Sequence, residues 1–116
     1  MSNPVDYFEI GSPDPEAARA FYSGLFDWEI GPPSAARYST INTQDGGLWD
    51  TSEMGGGSWA IFYVHVDNVS DALDKAVALG ATVVIPLVNN GQIEFAHLQD
   101  PLGNRFAIWR PNTPNA

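Results

Sequence analysis

The chain has 116 residues, 44% hydrophobic and 12% aromatic: enough for one compact domain, too few for two, and too apolar for disorder. It has no cysteine, which excludes disulfides, thiolate catalysis and sulfur-ligated metals, and no apolar run near the roughly 18 residues of a membrane span, so a soluble, cytoplasmic protein without a membrane partner is expected. Fourteen acidic side chains against five basic give a net charge of −9; this excludes the basic footprint of a nucleic-acid binder and reads either as solubility or as attraction for a cationic ligand.

Met1 leads into Ser2-Asn3-Pro4, with no basic and then apolar leader, so no export is expected. Val5 to Ile10 is a β-rich run in which Phe8 and Ile10 alternate with Tyr7 and Glu9, and Gly11-Ser12-Pro13 breaks it. Asp14 then stands at an N-cap, with Pro15 at the first helical position and Glu16 at the positive helix end. Ala17, Ala18, Phe21, Tyr22 and Leu25 form the apolar stripe of an amphipathic helix. Trp28 to Ile30 reads as the next strand, ended by Gly31-Pro32-Pro33, and Tyr38 to Thr43 and Gly47 to Trp49 as two more. The segment 50–58 is a loop.

Trp59 to Val66 opens a second series. Asn68 or Ser70 caps a helix that buries Ala72, Leu73, Ala76, Val77 and Leu79, and Gly80 supplies the left-handed residue at its end. Strands over Thr82 to Val88, Glu94 to Leu98 and Arg105 to Trp109 follow, with a loop at 89–92 and a turn at Asp100-Pro101-Leu102-Gly103-Asn104. Residues 111–116 read as a frayed tail. The two series are copies: residues 5–33 and 59–87 align without gaps at an offset of 62 − 8 = 54, which matches Phe8 with Phe62, Ala18 with Ala72, Leu25 with Leu79 and Pro32 with Pro86. Module one covers about 4–50 and module two about 58–110, within a single domain.

Asp14-Pro15-Glu16-Ala17-Ala18-Arg19-Ala20-Phe21-Tyr22, followed by Phe26-Asp27-Trp28, resembles the helix signature of the glyoxalase/bleomycin-resistance/extradiol-dioxygenase (vicinal oxygen chelate) superfamily, with Asp27 where the family usually has glycine. The run from Asp100 to Asn104 before a closing strand is similar to the family's other hallmark, and the resemblance covers about residues 5 to 110. It implies an α+β fold of two β-α-β-β-β modules, whose mixed sheet curves around a ligand cavity with the helices on the convex side. Alternation then puts Phe8, Ile10, Phe62, Val64, Phe106 and Ile108 in the helix-facing core. Tyr7, Glu9, Ile61, Tyr63, His65, Ala107 and Trp109 face the cavity or its rim.

The resemblance assigns divalent-metal ligands to the positions held here by Tyr7, Ile61, Ala107 and, taking Trp49 to match Trp109, Gly47. Ile, Ala and Gly cannot ligate through a side chain and Tyr is a poor substitute for imidazole, so neither the family metal nor another cofactor is expected. If Gln99 opposes Arg105 across the turn, His97 opposes Ala107 and faces the cavity, where Glu9 would join it and His65 lies nearer the rim. Glu9 and His97 are therefore the two candidates for acid–base chemistry or for a displaced metal; the alternative is a carboxylate at a wet strand edge and a histidine that hydrogen-bonds a neighbour.

Tyr7, Trp49, Tyr63 and Trp109 are cavity-facing aromatics suited to stacking on a flat or cationic ligand, or else to filling a collapsed cavity or a dimer interface. Trp28 and Trp59 read as structural, and Gly55-Gly56-Gly57 as a flexible loop over the cavity mouth. The candidate ligand-binding set is Tyr7, Glu9, Trp49, Ile61, Tyr63, His97 and Trp109. Three functions remain open: a metal-free module that binds a small aromatic or cationic molecule, a glyoxalase-like lyase or isomerase working through Glu9 and His97, and a non-catalytic structural or regulatory dimer. A homodimer is implied by the resemblance alone.

Overall fold

The computed structural model describes residues 2–112, and its architecture is α+β, as expected: seven strands and two helices. The chain divides into two compact units, one of residues 7–61 and one that joins the described residues before Tyr7 to those from Phe62 onward. The first holds most of β1 (Val5–Ser12), then α1 (Pro15–Phe26), β2 (Tyr38–Ile41) and β3 (Gly46–Asp50), and it takes Trp59 to Ile61 from β4 (Trp59–His65). The second holds the rest of β4, then α2 (Val69–Ala78), β5 (Thr82–Asn89), β6 (Ile93–Gln99) and β7 (Arg105–Pro111).

In the first unit β3 is the middle strand, parallel to β1 and antiparallel to β2. In the second, β7 runs parallel to β4 and antiparallel to β6, and β6 pairs antiparallel with β5. Each module thus brings its last strand back beside its first. Gln99 pairs with Arg105 and His97 with Ala107, the register expected from the turn between them. That turn is clamped by Asp100, whose carboxylate accepts from the backbone N–H of Leu102 (2.8 Å) and Asn104 (3.0 Å) and from the Asn104 amide (3.0 Å). These bonds, with Asn104 foremost, hold the Asp100 carboxyl below its ordinary pKa.

Both helices start as their sequence requires. Asp14 accepts from Ala17 N–H at 3.1 Å, with Pro15 behind it, and Asn68, not Ser70, accepts from Asp71 N–H at 2.9 Å. Gly80, just past α2, has φ +106. Asp27, which ends α1, is left-handed too (φ 60), and its N–H donates to Ser23 O at 2.9 Å.

The helix faces are narrower than the apolar stripes. Ala18 and Tyr22 pack with Phe8, Trp28 and Ile30 on buried Ile10, Ile41 and Leu48, whereas Phe21 and Leu25 are 60% and 59% exposed. On α2, Ala72, Leu73 and Ala76 pack with Val64 and Phe106 on Val66, Val69, Ala96, Leu98 and Ile108, whereas Val77 and Leu79 are exposed. A helix lying on a sheet buries one arc, and residues one step round it stay outside. Phe62, expected in this core, is about half exposed and stacks on Phe106 at 6.1 Å.

Trp28 to Ile30 does not form a full strand. Only Ile30 bridges, to Ile41, because the guanidinium of Arg19 takes the carbonyls of Ile30 (2.7 Å) and Gly31 (2.5 Å) that a ladder would use. β2 stops at Ile41, since Asn42 and Thr43 turn with positive φ. β5 carries Pro86 and two register shifts, which its place as the outer strand of its unit tolerates. The expected tail does not begin at 111, since Pro111 closes β7 opposite Ile93; its last part, 113–116, lies outside the described residues. The triple-glycine segment is tied to buried Thr51, whose Oγ1 donates to Gly57 O at 2.5 Å while its carbonyl accepts from Met54 and Gly56. Among the described residues no helix is long and apolar enough to cross a membrane.

A left-handed residue with a Cβ costs about 1 kcal/mol relative to glycine. Asp27→Gly is therefore expected to raise stability by about 0.5–1 kcal/mol in urea unfolding; a loss of stability would show that the aspartate does more than end the helix.

Candidate functional site

In the first unit, β1 and β3 carry Phe8, Ile10 and Leu48 toward α1, so Tyr7, Glu9, Gly11, Gly47 and Trp49 point the other way. Glu9 pairs with Gly47 and Gly11 with Trp49. Both glycines leave room that rings occupy: a Cβ on Gly47 would coincide with the phenol of Tyr38, and one on Gly11 with the indole of Trp59. Through these gaps both rings reach one carboxylate. Tyr38 Oη donates to Glu9 Oε1 at 3.2 Å, and Trp59 Nε1 donates to Glu9 Oε2 at 2.8 Å. Tyr7 Oη lies 2.9 Å from Tyr38 Oη, and Trp49 meets Tyr38 and Trp59 edge-on at 6.1 and 6.0 Å. Glu9 is 1% exposed, while Tyr7, Tyr38, Trp49 and Trp59 are only half-buried. Burial raises the Tyr7 pKa, partly offset by the Tyr38 hydrogen bond and reinforced by the Glu9 charge.

In the second unit the middle strand is β7, and Ala107 lies between Tyr63 on β4 and His97 on β6. Its methyl is small enough for the two rings to meet above it, Tyr63 Oη to His97 Nε2 at 3.0 Å. Arg105, two residues back on β7, donates to His97 Nδ1 from Nε (3.2 Å) and Nη2 (3.0 Å). A guanidinium only donates, so Nδ1 is the bare nitrogen, Nε2 carries the proton, and Tyr63 accepts it. Phe95 packs against both rings. His97 is fully buried, and burial first, then the charge of Arg105, lowers its pKa to about 3.

Trp109 belongs to a third, more exposed cluster in the same unit. Its indole N–H donates to Asp6 at 2.8 Å and its ring stacks on His65 at 4.9 Å, while His65 Nδ1 lies 3.3 Å from Asp6. Ile61 is buried in the first unit. Tyr7, Glu9 and Trp49 are thus gathered into one group and Tyr63 and His97 into another.

The sequence profile of the glyoxalase-like domain matches residues 7–109, nearly the whole of both modules. The chain belongs to the glyoxalase-like domain family. The anthracycline biosynthesis protein DnrV of Streptomyces peucetius is 33% identical over 128 aligned residues, which cover 90% of this chain and 46% of that protein. The chain therefore spans about half the length of the curated relatives it matches. Two solved structures share the fold. A glyoxalase/bleomycin resistance protein/dioxygenase superfamily member from Vibrio splendidus superposes with TM-score 0.61 at 15% identity, over 95% of this chain and 99% of that one. A variant of Streptomyces coelicolor methylmalonyl-CoA epimerase does so with TM-score 0.66 at 13% identity, over 97% and 100%.

The metal implied for a glyoxalase-like domain does not fit the residues here. Ile61, Ala107 and Gly47 offer no donor, the Tyr38 phenol fills the space above Gly47, and the Tyr63–His97 hydrogen bond passes over Ala107. Among the described residues no three His, Asp or Glu side chains converge to hold an ion.

Sequence reasoning missed Tyr38, Trp59, Arg105 and Asp6. Strand alternation places Tyr38 opposite Ile41's face, and the expected turn register already set Arg105 two residues before Ala107, so both carried a signal. Trp59 read as structural and is instead a direct partner of Glu9. Nothing in the sequence pointed to Asp6.

An unfolded histidine titrates near 6.5, and in the folded chain His97 stays neutral down to about pH 3. Protonation therefore favours unfolding: the stability contributed by the neutral ring is whole above pH 6.5 and is lost as pH falls toward 3, by a few kcal/mol in all. His97 imidazole resonances are expected to show no titration between pH 8 and 5, and His97→Gln to flatten the stability profile between pH 6.5 and about 3. A midpoint near 6.5 would contradict the buried, neutral assignment.

Proposed function

We propose that this glyoxalase-like chain binds a small ring-bearing molecule without the family metal, at the aromatic group over Glu9 in the Tyr7–Ile61 unit. One observation carries the reading: a carboxylate 1% exposed lies beneath four half-buried rings, Tyr7, Tyr38, Trp49 and Trp59, on the face turned away from α1. Polarizable ring faces suit stacking, and a carboxylate behind them selects ligands that donate hydrogen bonds or carry positive charge. The net charge of −9 favours the approach of cations. The relative DnrV is named for anthracycline biosynthesis, and anthracyclines are fused-ring aromatic compounds, a ligand class of the same shape.

A second reading, acid–base catalysis by a glyoxalase-like lyase or isomerase, is favoured by the Arg105–His97–Tyr63 chain. Arg105 fixes the His97 tautomer, and a neutral imidazole on a phenol is an arrangement that relays a proton. It predicts turnover that is lost in Tyr63→Phe.

Titration with proflavine, a planar cation, and with a neutral anthraquinone tests the first reading through quenching of Trp49 and Trp59 and through thermal shift. Ligand at 100 times its Kd is expected to add about 2.7 kcal/mol of stability. Trp49→Ala should weaken both ligands at least tenfold, about 1.4 kcal/mol, and Glu9→Gln should weaken the cation selectively. Unchanged affinities in both variants would place binding elsewhere.

A further inference from the structure

The hydrogen bonds beneath the aromatic group decide what kind of charge it can take. Glu9 is 1% exposed, and both its oxygens are held, one by the Tyr38 phenol (3.2 Å) and one by the Trp59 indole (2.8 Å). Because the Tyr38 hydrogen goes to Glu9, the 2.9 Å contact between the phenols uses the hydrogen of Tyr7, and Tyr38 accepts it. The bonds therefore run inward, from ring to ring to carboxyl, and at the outer end of the chain stands a single oxygen, that of Tyr7. The rest of what the group turns outward is ring surface.

That surface is not a stack. Trp49 stands at 69° to Tyr38 and at 86° to Trp59, with ring centroids 6.1 and 6.0 Å away. Faces set nearly at right angles cannot both lie flat on one planar ring, but both can touch one compact group, and a cation is drawn to each of them. The electrostatics of the unit point the same way. Residues 7–61 hold eight acidic side chains and two basic ones, so 8 − 2 = 6 of the nine net negative charges belong to this unit. Arg37, next to Tyr38 in the sequence, is held by Asp50 (3.2 Å) and Glu53 (2.9 Å) and adds no uncompensated positive charge.

We infer, on the ring-binding reading given above, that the ligand over Glu9 carries a methylated ammonium group, tertiary or quaternary, set against the face of Trp49. A primary ammonium leaving water brings three N–H groups to a surface whose hydrogen-bond chain offers the Tyr7 oxygen alone, and each donor left unmet costs its desolvation. Methylation removes those donors, keeps the charge and adds apolar surface that the rings can cover. A tertiary ammonium retains one N–H, which the Tyr7 oxygen can accept. Glu9 then acts from beneath the rings through its charge, not by touching the ligand, since its oxygens are shielded and already bonded.

A benzyl series holds the ring constant and changes only the nitrogen: benzylammonium, benzyldimethylammonium and benzyltrimethylammonium, with neutral benzyl alcohol as the measure of the ring alone. By calorimetry at neutral pH, affinity is expected to rise along the three cations by at least about fivefold in all, with benzyl alcohol weaker than benzyltrimethylammonium. Trp49→Phe keeps a ring but a poorer partner for cations, and should weaken benzyltrimethylammonium at least about threefold while hardly changing benzyl alcohol. Trp49→Leu should remove the preference for methylation. Benzylammonium bound as tightly as benzyltrimethylammonium, or a preference for methylation that survives both Trp49 variants, overturns the inference; binding of benzyl alcohol and proflavine would in that case leave the ring-binding reading standing. If neither proflavine nor any benzyl compound binds, both fall together.

Discussion

A phenol can lie across a β-strand only where the residue beneath it has almost no side chain. Both units depend on that condition. In the first, Gly47 on the middle strand lets the ring of Tyr38 pass over β3 to Glu9 on β1. In the second, Ala107 on the middle strand lets Tyr63 on β4 meet His97 on β6. A side chain of ordinary length at either position would occupy the volume through which the hydrogen bond runs. The two residues are also among those to which the family likeness assigns metal ligands, so a ligand on the middle strand and the reach of the phenols exclude one another.

The consequences differ because the repeat has diverged at the residue that receives or sends the bond. Glu9 and Tyr63 are equivalent at the offset of 54. One copy therefore buries a carboxylate that accepts from a phenol and an indole, and the other buries a phenol that accepts from an imidazole. A buried carboxylate is costly unless donors face both its oxygens, and Tyr38 and Trp59 do so. A buried imidazole is cheap while neutral; burial first, and then Arg105 beside its bare nitrogen, keeps it so. One fold thus holds a carboxyl network and an imidazole network on the same kind of strand row.

What could be read from the sequence was the part governed by local chemistry. The Asp14 cap, the Gly80 helix end and the Asp100 turn depend on neighbours within a few residues, and the turn register carried His97 to Ala107 correctly. Trp28 to Ile30 was misread because the Ile30 carbonyl goes to Arg19, eleven residues upstream, a competition no local pattern displays. The outer residues Phe21, Leu25, Val77 and Leu79 were placed in the core because an apolar stripe shows which residues avoid water, not which of them the sheet reaches. Glu9 and His97 were singled out by alternation and are deeply buried. The Glu9 partners Tyr38 and Trp59 were not, since those contacts depend on rings crossing glycines elsewhere in the sequence.

The claim that these rows exist because a small residue lies beneath a ring is tested most directly by a double-mutant cycle on Gly47 and Tyr38. In the wild-type background Gly47→Ala must displace the phenol from Glu9, and should cost at least about 2 kcal/mol of unfolding free energy. In a Tyr38→Ala background there is no ring to displace, so the same change should be close to neutral and the coupling energy should exceed about 1 kcal/mol. Additive costs would mean that Gly47 is small for a reason unconnected with Tyr38, and the account of the row would be wrong.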